Sequence, residues 1–122
     1  MIAQTLTTSF KQQLLTATHD FTPTTGDTFY MALYLPTASL GADTTVYTAT
    51  GEISGTGYSA GGIALTAVTP TSTGTTAFTS FSDATFTGLV NSSIAGALIY
   101  NSSKSNKSVA VLDFGSMKTS TA

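Results

Sequence analysis

Enzyme chemistry draws on bases, nucleophiles and charge clamps, and this chain holds few of them. His19 is its one imidazole, Cys, Trp and Arg are absent, and 8% of residues are charged. Asp20 follows His19 directly, but a Ser-His-Asp triad needs a carboxylate and an imidazole aligned side by side, which adjacent residues do not readily achieve. No nucleophile elbow is present. His19 therefore reads as a turn or helix-end residue, and the chain as a non-enzyme. The six acids (Asp20, Asp27, Asp43, Glu52, Asp83, Asp113) stand singly, with none of the convergent oxygen ligands a calcium loop requires. No metal and no cofactor is expected.

Gly55-Thr56-Gly57-Tyr58-Ser59-Ala60 fits a relaxed dinucleotide fingerprint. That motif works only between a strand and a helix, and here Gly61-Gly62 and Ile63-Ala64-Leu65-Thr66 follow, a poor helix start. A glycine-rich turn is the simpler reading. Asn91-Ser92-Ser93, Asn101-Ser102-Ser103 and Asn106-Lys107-Ser108 match the glycosylation pattern, as chance allows in a chain about one-third Ser and Thr, and are read as unused. The other resource is aromatic. Tyr30, Tyr34, Tyr47, Tyr58 and Tyr100 can line a sugar-binding face or a protein interface, or can serve as half-buried sheet residues.

The elements that must position these residues follow from periodicity. Leu6, Phe10 and Leu14 are four apart, and Ser9 with Gln12 makes a capping box, which predicts one short helix over residues 9–17. Thr28 to Leu35 alternates Phe29, Met31, Leu33 and Leu35 with Tyr30, Ala32 and Tyr34; both faces are apolar, so this strand is expected to be covered on both sides. A long connection occupies residues 37–56. Strands are expected at 58–68 with a bulge at Gly61-Gly62, at 76–82 and at 85–90, with a turn from Pro70 to Gly74. Residues 94–101 and 108–114 read as a hairpin around the polar loop 102–106. The pattern is all-β: a single domain, residues 1–122, an antiparallel β-sandwich or jelly-roll-like fold of six to eight strands with one short N-terminal helix. Residues 1–8 read as an N-terminal arm and 116–122 as a flexible tail.

Apolar residues at 41% suit a packed core, and a net charge of −2 without Arg gives no grip on phosphate, so no nucleic-acid partner is expected. No stretch has the roughly 20 apolar residues of a membrane helix, and no membrane partner is expected. Met1-Ile2-Ala3-Gln4-Thr5-Leu6 lacks the basic start and apolar run of a signal peptide. A Thr-rich, weakly charged chain of this kind suits a virion protein made in host cytoplasm.

Several segments occur together in a familiar order: Phe10-Lys11-Gln12-Gln13-Leu14-Leu15, Ala32-Leu33-Tyr34, Glu52-Ile53-Ser54-Gly55-Thr56-Gly57-Tyr58-Ser59-Ala60-Gly61-Gly62, Ile99-Tyr100-Asn101 and Asp113-Phe114-Gly115. In this order the chain resembles small structural proteins of tailed, cyanophage-like bacteriophages, either head decoration (cement) proteins or tail-associated modules. The resemblance implies a capsid-surface location, the major capsid protein as partner, and a homo-oligomer, typically a trimer, that binds across capsomers. A tail- or head-fibre module that binds a host receptor or glycan is the alternative. The residues expected at capsid or subunit contacts are Ile2, Leu6, Tyr58 and Tyr100, and removal of residues 1–8 is expected to leave the domain folded.

Overall fold

A computed structural model describes residues 1–121 and is all-β with one short α-helix. The strands are β1 (Thr5–Leu6), β2 (Phe29–Tyr34), β3 (Ile63–Ala64), β4 (Ala67–Thr73), β5 (Thr76–Phe81), β6 (Val90–Asn101) and β7 (Lys107–Thr121); α1 spans Thr8–Leu15. Five strands make one antiparallel sheet in the order β1-β7-β6-β2-β3, and β4 and β5 form a separate two-stranded sheet.

The two-faced strand of the sequence lies inside the larger sheet, between β6 and β3. Ala32 and Tyr34 enter a core with Leu98, Tyr100, Val111, Ala38 and Leu40. On the opposite face Phe29 packs with Phe10, Ile99 and Val109, and Leu33 packs with Ile53, Leu89 and Ala97. Strand alternation alone would put Val109 and Val111 on one face. The register instead shifts between Ile99 and Tyr100, opposite Ala110 and Ser108, so Val109 is the extra residue of a bulge. It joins Phe29, while Val111 joins Tyr34.

The helix is capped two residues earlier in the chain than expected. Thr7, fully buried, is the N-cap, and its Oγ1 accepts from the Phe10 N–H at 3.4 Å. Thr7 is already tied to the sheet: its N–H donates to the Val109 carbonyl at 3.1 Å, and its hydroxyl meets that of Ser108 at 2.9 Å. Sheet pairing therefore sets where the helix starts, and Ser9 lies inside the first turn. Of the expected apolar stripe only Phe10 is buried.

Three other expected strands or turns differ. Of the expected strand at 58–68 only β3 and the start of β4 form; Ala60 and Gly61 turn instead of bulging, because Gly61 and Gly62 take φ of +94° and +83°, outside the strand region. The expected turn from Pro70 to Gly74 is mostly strand: β4 runs to Thr73, and only Gly74-Thr75 turns. Pro70 is accommodated where the β4–β5 register shifts, between Val68 and Thr71. The expected strand at 85–90 is irregular up to Leu89, because Gly88 turns with φ +71° and its backbone packs against Gly57.

The ends are more ordered than a free arm and a loose tail. Ile2 is 8% exposed in the core against Gly96 and bridges Leu40 in parallel; the Met1 ammonium donates to the Ala38 carbonyl at 2.8 Å. Residues 116–121 continue β7, with Thr121 opposite Val90 and Ser120 opposite Asn91; residue 122 lies outside the described residues. Deletion of residues 1–8 removes a buried Ile, a strand and a helix cap together. From side-chain burial and capping it is expected to cost about 3–5 kcal/mol, a large share of a small domain's stability. Urea unfolding of the truncated chain checks this.

Candidate functional site

The glycine motif is built around Glu52. Its carboxylate accepts from the Tyr47 hydroxyl at 2.6 Å, from the Gly61 N–H at 2.8 Å and from the Tyr58 hydroxyl. Tyr58 in turn accepts the Leu33 N–H at 3.0 Å. Tyr100 donates to the Gly61 carbonyl at 2.6 Å, stacks with Tyr30 and meets Tyr47 at a tilt, ring centroids 5.9 and 4.8 Å away. Gly62 has φ +83°, and a Cβ there would overlap the Met31 carbonyl. Glu52-x-x-Gly55-x-Gly57-Tyr58…Gly61-Gly62 is thus a clasp that pins a loop over β2. Burial, then the hydrogen bond to Glu52, raises the phenols of Tyr58 and Tyr47; burial, then the neighbouring Glu52 charge, pushes Tyr100 up to about 12. These tyrosines are therefore neutral donors at physiological pH.

His19 anchors a second polar cluster, between the helix and the β6–β7 turn. The Asn101 side-chain oxygen accepts the Ser103 N–H at 3.0 Å, so its amide nitrogen must face the other way, donating to Asp27 at 2.7 Å and to His19 Nδ1 at 2.9 Å. Nδ1 is therefore the acceptor, and Nε2–H donates to the Gln13 side-chain oxygen at 2.8 Å. Both ring nitrogens are committed, and the ring lies 5.0 Å from that of Phe10. Burial pulls the imidazole below its ordinary 6.5; Asp27 opposes this, and Lys104 and Lys107 reinforce it. Burial raises the Asp27 carboxyl, but donation from Lys104 (2.6 Å), Asn101 and the Asp20 N–H together holds it below the ordinary range.

The remaining feature is an uncharged hairpin beside an apolar groove. The β4–β5 hairpin projects from the body, and every residue from 68 to 80 is exposed. Its base is fixed by Phe81, whose ring lies 5.6 and 6.2 Å from those of Phe29 and Phe21. Between hairpin and body runs a groove of about 570 Å³, bounded by Leu6, Phe10 and Leu14 on one side and Phe78 and Phe81 on the other, over Val109. Leu6 and Phe78 are each 49% exposed. No charged residue lines the groove, and none occurs from Ile53 to Ser82.

Of the four residues expected at contacts, the structure places Leu6 on this groove. Ile2 lies in the core, and Tyr58 and Tyr100 belong to the Glu52 clasp, so three of the four are drawn into the protein's own packing. In the sequence Phe78, Phe81 and Phe86 read as core or subunit-contact residues and Leu14 as part of the helix's apolar stripe; that Leu14, Phe78 and Phe81 line one groove is a product of the fold, although the uncharged run from Ile53 to Ser82 marks the hairpin segment. Among the described residues no three His, Cys, Asp or Glu side chains gather as a metal site, and no helix is long and apolar enough to cross a membrane. Comparison with known proteins finds no matching family model, curated protein or solved structure.

Glu52→Ala leaves the Tyr47, Tyr58 and Gly61 donors without their acceptor and is expected to cost about 3 kcal/mol in urea unfolding, against about 1 kcal/mol for Tyr47→Phe. The His19 cluster imposes a pH dependence. Its lowered pKa means the fold favours the neutral ring, so this contribution is complete above 6.5 and declines as pH falls from there towards the folded-state value. Protonated Nδ1 would face the Asn101 amide donor. Thermal unfolding followed against pH is expected to lose stability through this window in the parent chain, and less so in His19→Gln.

Proposed function

We propose that this chain is a structural virion protein that decorates a tailed-phage capsid by binding across capsomers, without catalytic activity. The observation that carries the reading is the uncharged hairpin and the apolar groove beside it. Together they offer strand edge and apolar surface as a docking face, while the polar clusters serve the fold internally. Contiguous exposed apolar surface of this kind marks protein contacts more often than small-molecule chemistry. The resemblance of the Glu52-to-Gly62 segment and its neighbours to phage structural proteins supplies the class of partner, the major capsid protein.

The physics suits a coat component. A shell repeats one small contact many times, so each site can be weak while the assembly holds. A charge-poor surface contributes little long-range steering, and affinity rests on shape, apolar burial and backbone hydrogen bonds. The phenol hydroxyls of Tyr47, Tyr58 and Tyr100 are engaged within the chain, which weighs against the glycan-binding alternative. Cryo-electron microscopy of intact particles from the source of this chain is the test. Density at regular positions over the shell is expected, and density confined to the tail, or none, would overturn the reading. Binding to undecorated shells is expected to change little between low and moderate salt.

A further inference from the structure

We infer that the open edge of β5 pairs with β5 of a second copy of this chain, forming a continuous four-stranded antiparallel sheet across a two-fold axis. The inference rests on the reading of the hairpin as an assembly surface and names what that surface meets first.

The two edges of the hairpin are not equivalent. β4 carries Pro70 and a register shift between Val68 and Thr71, two devices that spoil an edge for further pairing. β5, Thr76-Ala77-Phe78-Thr79-Ser80-Phe81, has no Pro, no Gly, no charge and no shift within Thr76–Phe78. Its neighbour in the sheet is β4 alone, so its other side presents free N–H and C=O groups. An isolated two-stranded hairpin is marginal in water, whereas added strands stabilise it. Edges that proteins leave open are normally guarded by Lys, bulges or cover; β5 has none of these.

A second copy is the occupant because the edge is self-complementary. An antiparallel strand pairs with itself about a two-fold axis with the same residues on both sides. Neither hairpin carries charge, and the whole chain carries only −2, so two copies approach without repulsion. The chain exposes 6767 Å², about 600 Å² more than the roughly 6,200 Å² of a compact monomer of its 12.5 kDa, as a projecting hairpin with its sides uncovered requires. Pairing through β5 would bring Phe78 of each copy to the seam, beside the groove. It joins copies in twos and is distinct from the three-fold cluster implied by the phage resemblance.

Sedimentation velocity of the full chain over a concentration series tests this. A species of twice the 12.5-kDa chain mass is expected, with its dissociation constant raised at least tenfold in Phe78→Lys and in Thr79→Lys. Met117→Lys, a change at an exposed residue of β7, is expected to leave the pair intact, and circular dichroism is expected to show the parent β signal in all three. A chain that stays monomeric at every concentration overturns the inference, as does a pair that both folded β5 variants retain. Particle microscopy reads the capsid role separately. A monomeric chain found on the shell sinks the β5 pairing alone; a β5-dependent pair absent from the shell sinks the capsid role alone.

Discussion

The constraint on which this structure depends is the two-sided burial of β2 and β6. Strands with apolar side chains on both faces cannot stop at one layer; each face needs a lid. The chain has one short helix and two small strands to spare, so most of the covering falls to irregular segments. The N-terminal residues and residues 38–47 of the following connection close the Tyr34 face, with Ile2, Ala38, Leu40 and Tyr47 as their contacts. The helix, Phe21 and the base of the hairpin close much of the Phe29 face. Irregular covers bring backbone polar groups near the core, and these must be paired.

That requirement explains the placement of Glu52 and Asp27. Glu52 collects two phenol hydroxyls and a backbone N–H from the loop that crosses β2. Asp27 collects Lys104, Asn101 and the Asp20 N–H beneath the β6–β7 turn. Each acid acts as a knot in a loop. No buried side-chain nitrogen or oxygen among the described residues lacks a partner. Residues whose types suggested chemistry are thus largely committed to holding the lids in place. The hairpin and its groove lie apart from these clusters: the segment is uncharged, with Leu and Phe side chains lining the groove and Thr and Ser hydroxyls over much of the hairpin.

Much of the architecture was legible from the sequence. The apolar alternation of Phe29 to Leu35 announced a strand covered on both sides, and the polar loop 102–106 announced the β6–β7 hairpin. Boundaries set by competition between elements were less legible. Ser9 and Gln12 form a good local cap, but Thr7 is held by Val109 and Ser108, more than a hundred residues away, and the helix starts from there. Pro70 and Gly74 look like one turn, yet Pro70 fits inside a strand because the register shifts around it. The sites show the same division. Ile2 and Leu6 look alike in sequence; Gly96 leaves room for Ile2 in the core, while nothing covers Leu6.

By itself, then, the sequence determined class and composition: an all-β chain with one helix, acids that stand singly along it, and an uncharged run from Ile53 to Ser82, about a quarter of its length. Those properties follow from residue types and from the periods of strands and helices, which are local. Only the tertiary structure decided which apolar residues remain outside. Exposure of Leu6, Leu14 and Phe78 beside a buried Phe10 depends on how the hairpin leaves the sheet and where Phe81 anchors it. The roles of Tyr58, Tyr100 and His19 were decided in the same way, because a side chain's partner is set by long-range strand pairing rather than by its neighbours in the chain.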